Sequence, residues 1–297
     1  MTALAQFDGW MKDVQATMKD ALAAFLPAAA AVPARLHEAM RYAVLDGGKR
    51  VRPLLVFAAG NLFDADAALL ARAAAAVEMI HAYSLVHDDM PCMDDDALRR
   101  GKPTVHVKYD EATALLVGDA LQAQAFLVLS EAQASAARKL AMLRLLAQSS
   151  GSAGMCGGQA IDLGSVGLAL SLEALEQMHR LKTGALLRAS VLLGAMGGKD
   201  LDDGEMAALD AYAAAIGLAF QVVDDVLDAT ADSATLGKTA GKDAADNKPT
   251  YVSILGLAQS QALAEKLRND AHRALLPFGD KARRLRELAD LIVQRKA

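Results

Sequence analysis

Residues His87 to Pro103 read HDDMPCMDDDALRRGKP, with five aspartates inside nine positions and two arginines and a lysine directly after them. Carboxylates crowded this closely need a compensating cation, because burying even one without a partner costs several kcal/mol. A second acidic run, QVVDDVLD, sets Gln221, Asp224, Asp225 and Asp228 at i, i+3, i+4 and i+7. On a helix this spacing puts Asp224 and Asp228 on one face, a turn apart, with Gln221 just above them. In the first run Pro91 interrupts the hydrogen-bond ladder after Asp88 and Asp89, so Asp94 can swing back towards them from an irregular segment. Donor sets made only of oxygen favour a hard cation, Mg²⁺ or alternatively Mn²⁺, over zinc. The spacing is not that of an EF-hand. Counted from Asp88, position six is Met93 and position twelve is Arg99, where that loop needs glycine and glutamate.

Positive charge is grouped as well. Lys49 and Arg52 lie in DGGKRVRP, Arg99 and Arg100 in RRGKP, Lys182 in RLKTG, and Lys238, Lys242 and Lys248 in LGKTAGKDAADNKP. Each patch borders glycine, which lets backbone approach an anion, near a helix end whose amides add donors. Four such patches beside two acidic clusters suggest Mg²⁺ bridging carboxylates to phosphate oxygens. That ion is typically held by one or two carboxylates plus substrate phosphates.

The elements that must position these residues are helices. Helical patterning recurs over about 4–25, 34–45, 51–62, 66–89, 110–132, 135–150, 171–196, 203–230, 250–273 and 281–295, with breakers such as GSAGMCGGQ and GAMGGKD between. Helix 66–89 and the stretch 210–228 are apolar nearly all round, which predicts burial, and both finish in the aspartate clusters. Aromatics are 4 % of the 297 residues and prolines number seven, a balance that favours helix over sheet. No stretch reads as an interdomain linker, so residues 1–297 are expected to form a single all-α domain. The net charge of −5 argues against general affinity for nucleic acid. Two cysteines, Cys92 and Cys156, suit a reducing cytosol. The first residues lack the pattern of a signal peptide. The longest uncharged apolar stretch, ALAAFLPAAAAVPA, is broken by Pro27 and Pro33, so no integral membrane segment is expected.

Taken in order, LDGGKRVRP, EMIHAYSLVHDDMPCMDDDALRRGKPTVH, GMCGGQAIDL, LKTGALLRAS, FQVVDDVLD and LGKTAGKDAADNKPTY resemble the motifs of the trans-prenyl diphosphate synthases, and the resemblance runs over most of the chain. It implies an all-α bundle of the isoprenoid synthase type with a central cavity, a cytoplasmic homodimer, and three Mg²⁺ ions per site. The implied reaction is head-to-tail condensation of isopentenyl diphosphate with dimethylallyl and then geranyl diphosphate, giving farnesyl diphosphate and releasing pyrophosphate. By the same resemblance Asp88, Asp94 and Asp224 would bind Mg²⁺ on the allylic diphosphate, with Asp89, Asp225 and Asp228 supporting them. Arg99, Lys182, Thr183, Gln221, Lys238 and Lys248 would contact that diphosphate. Lys49, Arg52, His81 and Arg100 would hold isopentenyl diphosphate.

Tyr83 lies five residues before Asp88, about 7.5 Å down a helix that rises about 1.5 Å per residue. A ring there would floor the cavity and stop chain growth at farnesyl length. The longer spacing of the first motif, DDxxxxD, also resembles some geranylgeranyl diphosphate synthases, which stand as the alternative. A terpene cyclase is less favoured, since it has no need of a second diphosphate pocket. Glu78–His81 and Glu176–His179 form two E-x-x-H pairs, the helical ligand pattern of ferritin-like di-iron proteins. That reading leaves the aspartate clusters and basic loops without a task.

Overall fold

The computed structural model describes residues 3–45, 47–168, 170–230 and 249–295, and among them the chain is all-α apart from one short hairpin. Its contacts divide it into two units, Met1–Leu146 with Leu193–Asp200, and Ala147–Leu192 with Leu201–Ala297.

The first unit holds α1 (Ala3–Phe25), α2 (Ala34–Leu45), α3 (Val51–Leu62), α4 (Ala67–Asp88), a hairpin of β1 (Leu98–Arg99) and β2 (Lys102–Pro103), α5 (Val105–Lys108), α6 (Glu111–Ser130) and most of α7 (Ala136–Ser150). Helix α4 is its centre, packed by α1, α2, α3 and α6. Ala73 to Val77, Met79 and Ile80 are wholly buried, and the run of alanines lets neighbouring helices approach from several sides. The Asp66 side chain caps the start of α4 by accepting from the Ala68 and Leu69 amides at 2.9 and 3.0 Å. At the other end, His87 leans on Gly118 of α6, where a Cβ would stand 1.9 Å from Nε2 of the imidazole.

The second unit holds α8 (Met155–Gly164), α9 (Leu172–His179), a π-helical turn (Arg180–Gly184) leading into the first part of α10 (Ala185–Gly198), α11 (Asp203–Thr230), α12 (Tyr251–Leu255), α13 (Leu257–Ala274), a 3₁₀ stretch (Leu276–Ala282) and α14 (Arg283–Gln294). Helix α11 is its spine, packed along α13 and touched by α14 and the π turn. The buried Tyr212 hydroxyl donates to the Leu285 carbonyl at 2.6 Å and fastens α11 to α14.

Four features depart from the sequence reading. The stretch GSAGMCGGQ, expected only to break helices, opens α8 at Met155. A Cβ on Gly158 would stand 2.0 Å from the Lys182 amide nitrogen, so this glycine permits close packing of α8 on the π turn. The expected helix 171–196 is interrupted by the π turn, and the expected helix 250–273 is split at Gly256, which has φ +79°. Finally, α4, α6 and α11 are each long and apolar enough to cross a membrane by length and composition, although no uncharged stretch of that length exists. In α4, 78 % of the apolar window is buried inside the protein itself.

Candidate active site

In the first unit, α4 ends at Asp88 and Asp89 because Pro91 cannot continue the ladder. The chain then folds back. The Asp94 amide donates to the Asp88 carbonyl at 2.9 Å and the Asp96 amide to the Asp89 carbonyl at 3.2 Å, returning Asp94 to the helix end. Asp89 turns inward and is buried, where Nε of Arg99 grips both its oxygens at 2.8 and 2.9 Å. Such charge-assisted forks are stronger and more directional than neutral hydrogen bonds. Asp88 and Asp94 are half-buried and carry the accessible carboxylates.

The turn of the β1–β2 hairpin is Arg100–Gly101, both with positive φ, the pattern of a type I′ turn. It delivers Arg100 to the glycine loop after α2, where its Nη1 donates to the Gly47 carbonyl at 2.8 Å. A Cβ on Gly48 would stand 2.8 Å from that guanidinium, and the φ of +101° there also demands glycine. Arg50 is buried against Glu78 and donates to the Val44 carbonyl at 2.7 Å, which pins the loop carrying Lys49, and the start of α3 with Arg52, onto α4. His81, one turn beyond Glu78, has its pKa pushed well below the ordinary imidazole value. Burial is the main cause, reinforced by Arg52, Arg100, Arg99 and Arg50. The imidazole therefore stays neutral where Arg52, Arg100, Arg99 and Arg50 together make the local field positive. Tyr83, on the same helix, is buried with its ring edge-on to His87 at 5.9 Å.

In the second unit, the last turns of α11 divide their carboxylates. Asp225 and Asp228 are buried, while the side chain of Asp224 is 40 % exposed. Asp225 accepts from the Tyr251 amide at 2.7 Å and so holds the first turn of α12 against α11. Arg295 donates to Asp224 Oδ1 at 2.6 Å. Gln221 stands a turn above Asp224, as its spacing requires. Lys182 and Thr183 occupy the π turn, a geometry enriched at functional sites. The Lys182 ammonium is paired with Asp162 of α8, so the GGQAID and LKTG motifs meet through one ion pair. Lys238 and Lys248 lie outside the described residues. Among the described residues, no three His, Cys, Asp or Glu side chains converge into a ready-made metal cage.

The E-x-x-H pairs are otherwise engaged. Glu78 holds Arg50, Glu176 holds Arg180 at 3.2 Å, and His179 is buried with its ring stacked on Tyr251 at 5.6 Å. Burial, with a smaller push from Lys182 and opposed by Asp162, lowers the His179 pKa to about 4. The unfolded chain therefore binds a proton here that the folded chain refuses. Stability should fall as pH drops through about 6.5 and stop falling below about pH 4, a loss of up to about 3 kcal/mol. Urea unfolding of wild type and His179→Phe across that range measures it. A difference between the two that does not change with pH would remove His179 as the cause.

Sequence reasoning passed over Arg50, Asp162 and Arg295. Asp162 could have been found within GMCGGQAIDL, whereas Arg295 lies 71 residues from its partner Asp224 with no local signal.

Residues 33–275 match the family model described as polyprenyl synthetase. The chain is 51% identical over 264 residues to the farnesyl diphosphate synthase of Escherichia coli, covering 87% of this chain and 88% of that one. It is 52% identical over 282 residues to a probable farnesyl diphosphate synthase of Bradyrhizobium diazoefficiens, covering 94% and 85%. The crystal structure of a Helicobacter pylori geranyltransferase complexed with magnesium and isoprenyl diphosphate superposes with a TM-score of 0.83 at 33% identity, covering 96% of this chain and 95% of that one. With the family model matching residues 33–275 and relatives about half identical over most of both chains, the chain belongs to the polyprenyl synthetase family.

Proposed function

We propose that the protein is a prenyltransferase that condenses isopentenyl diphosphate with dimethylallyl and then geranyl diphosphate, giving farnesyl diphosphate and pyrophosphate. The observation that carries this reading is the division of charge on α4 and the loops beside it. Accessible carboxylates stand at the helix end, and a cationic enclave surrounds His81 two turns earlier. The 51% identity to the Escherichia coli enzyme supports the same reading.

Asp88 and Asp94 of the first motif and Asp224 of the second hold the metal. Their donor set is all oxygen and incomplete without phosphate, which fits Mg²⁺ or Mn²⁺. When bound, the ions, three per site, neutralise the allylic diphosphate and stabilise charge as it departs. Arg99, Lys182, Thr183, Gln221, Lys238 and Lys248 donate to the same diphosphate. The Asp89 fork and the Asp162 ion pair fix Arg99 and Lys182 beforehand, so little ordering is left to the moment of reaction. The allylic C–O bond breaks with its electron pair leaving on pyrophosphate. The double bond of isopentenyl diphosphate then attacks the cation, and the departing pyrophosphate takes the proton released. Lys49, Arg52, His81 and Arg100 hold the second diphosphate by charge and hydrogen bonds alone, so that bond stays intact. Exclusion of water by apolar helices protects the cation from hydrolysis.

The reading also makes the chain a single-domain, cytoplasmic homodimer. An apolar face supports the dimer, since Leu115, Leu116 and Leu127 of α6 are about half exposed. Sedimentation of the purified protein at twice 31.1 kDa is the expected result. Incubation with Mg²⁺, isopentenyl diphosphate and dimethylallyl diphosphate, followed by phosphatase treatment and chromatography, should yield farnesol. A twenty-carbon alcohol as main product would favour a geranylgeranyl synthase, a cyclic hydrocarbon would favour a cyclase, and absence of pyrophosphate release would refute catalysis.

A further inference from the structure

Arg295 follows directly on α14 and bends its side chain onto the acidic end of α11. Its Nη2 donates both to Asp224 Oδ1 at 2.6 Å and to the Phe220 carbonyl at 2.8 Å, while the guanidinium lies 3.8 Å over the Phe220 ring. Phe220 and Asp224 are one turn apart on α11, so the three contacts form one seat for one side chain. That side chain is only 12 % exposed. The seat is imperfect: Nε is buried and has no hydrogen-bond partner among the described residues, and an unsatisfied buried donor weakens the contact.

We propose that Arg295 guards the second metal carboxylate, occupying Asp224 in the ion-free protein so that a divalent cation must displace it to bind. The inference rests on Asp224 being an ion ligand, as proposed above. A guanidinium and a metal ion compete for the same oxygen, and each binds less readily while the other is present. Asp224 is also the most accessible of the three carboxylates in the last turns of α11, so an arriving ion meets it first. The incomplete hydrogen bonding of Arg295 makes the guard releasable. Its effect is to raise the ion concentration at which the site loads, without any contact to the substrate hydrocarbon.

The test titrates Mn²⁺ into protein with a fixed excess of inorganic pyrophosphate, reading free Mn²⁺ by electron paramagnetic resonance. In Arg295→Gln the half-saturating Mn²⁺ concentration should fall about two- to fivefold, the range of one partly exposed ion pair. Arg295→Lys keeps the charge but loses the double donation and the ring contact, and should fall between the two. It also covers the case in which the glutamine variant does not fold, as circular dichroism would show. Asp224→Asn should raise the midpoint and abolish the gain from Arg295→Gln in the double variant. If Asp224→Asn raises the midpoint while both Arg295 variants leave it unchanged or raise it, the guard is refuted and the metal assignment stands. If Asp224→Asn has no effect, the metal assignment itself is wrong, and the guard with it.

Discussion

Asp88→Asn is expected to lower kcat roughly a thousandfold while leaving the fold and the KM for isopentenyl diphosphate nearly unchanged. The size follows from the role. A carboxylate that anchors the charge opposing a departing pyrophosphate acts mainly in the transition state, and losing one such preorganised group costs about 10²–10³ in rate. The fold should survive because the backbone carbonyl of Asp88, not its side chain, accepts the Asp94 amide that closes the loop. Isopentenyl diphosphate should bind as before, since Lys49, Arg52, His81 and Arg100 are untouched. Asp89→Asn, one residue along, should behave in the opposite way. It strips the Arg99 fork of its charge inside a buried setting and should cost about 3 kcal/mol of stability. Steady-state kinetics paired with urea unfolding separates the two neighbours. An Asp88→Asn enzyme that keeps a third of its kcat would remove the first motif from the metal site.

The two outcomes differ although the residues are adjacent and identical in type, and that limits what a sequence can tell. The i, i+3, i+4, i+7 spacing of Gln221 to Asp228 fixes which carboxylates share a face, because helical period is a local property. It does not tell which face is wet. Asp228, placed beside Asp224 by spacing, proves buried, and Asp225 is spent on the Tyr251 amide, a contact that exists only once α12 folds onto α11. The return of Asp94 to the helix end was legible, since Pro91 leaves the chain little choice. The opening of α8 was not: Gly157 and Gly158 signal a break locally, and only the close approach of the Ser152 carbonyl to the first and of the Lys182 backbone to the second explains why they sit inside a helix. The cationic residues were legible by kind and loop position. Their pairings, Arg50 with Glu78 and Lys182 with Asp162, depend on tertiary contacts that no local pattern encodes.

Tyr83→Ala is expected to shift the main product from fifteen carbons to twenty or more. The ring lies on α4 about 7.5 Å before the acidic end, a distance set by the helical rise, so a hydrocarbon chain growing along α4 from that end meets it after a few isoprene units. Tyr83 is buried, and its edge-on contact with His87 is backed by the seating of that imidazole against Gly118. The ring is therefore packed in place beside the acidic end rather than lying loose in the path of a lengthening chain. Removing it opens space for further units at a stability cost of about 3–4 kcal/mol, typical of truncating a buried aromatic. Tyr83→Phe keeps the volume and should keep the fifteen-carbon product, which separates bulk from hydroxyl chemistry. Tyr83→Trp extends the ring into the same path and should favour ten carbons. Products from labelled isopentenyl diphosphate, sized after phosphatase treatment, decide the matter. If Tyr83→Ala folds, turns over and still stops at fifteen carbons, the ring is ordinary core packing and the floor of the cavity lies elsewhere.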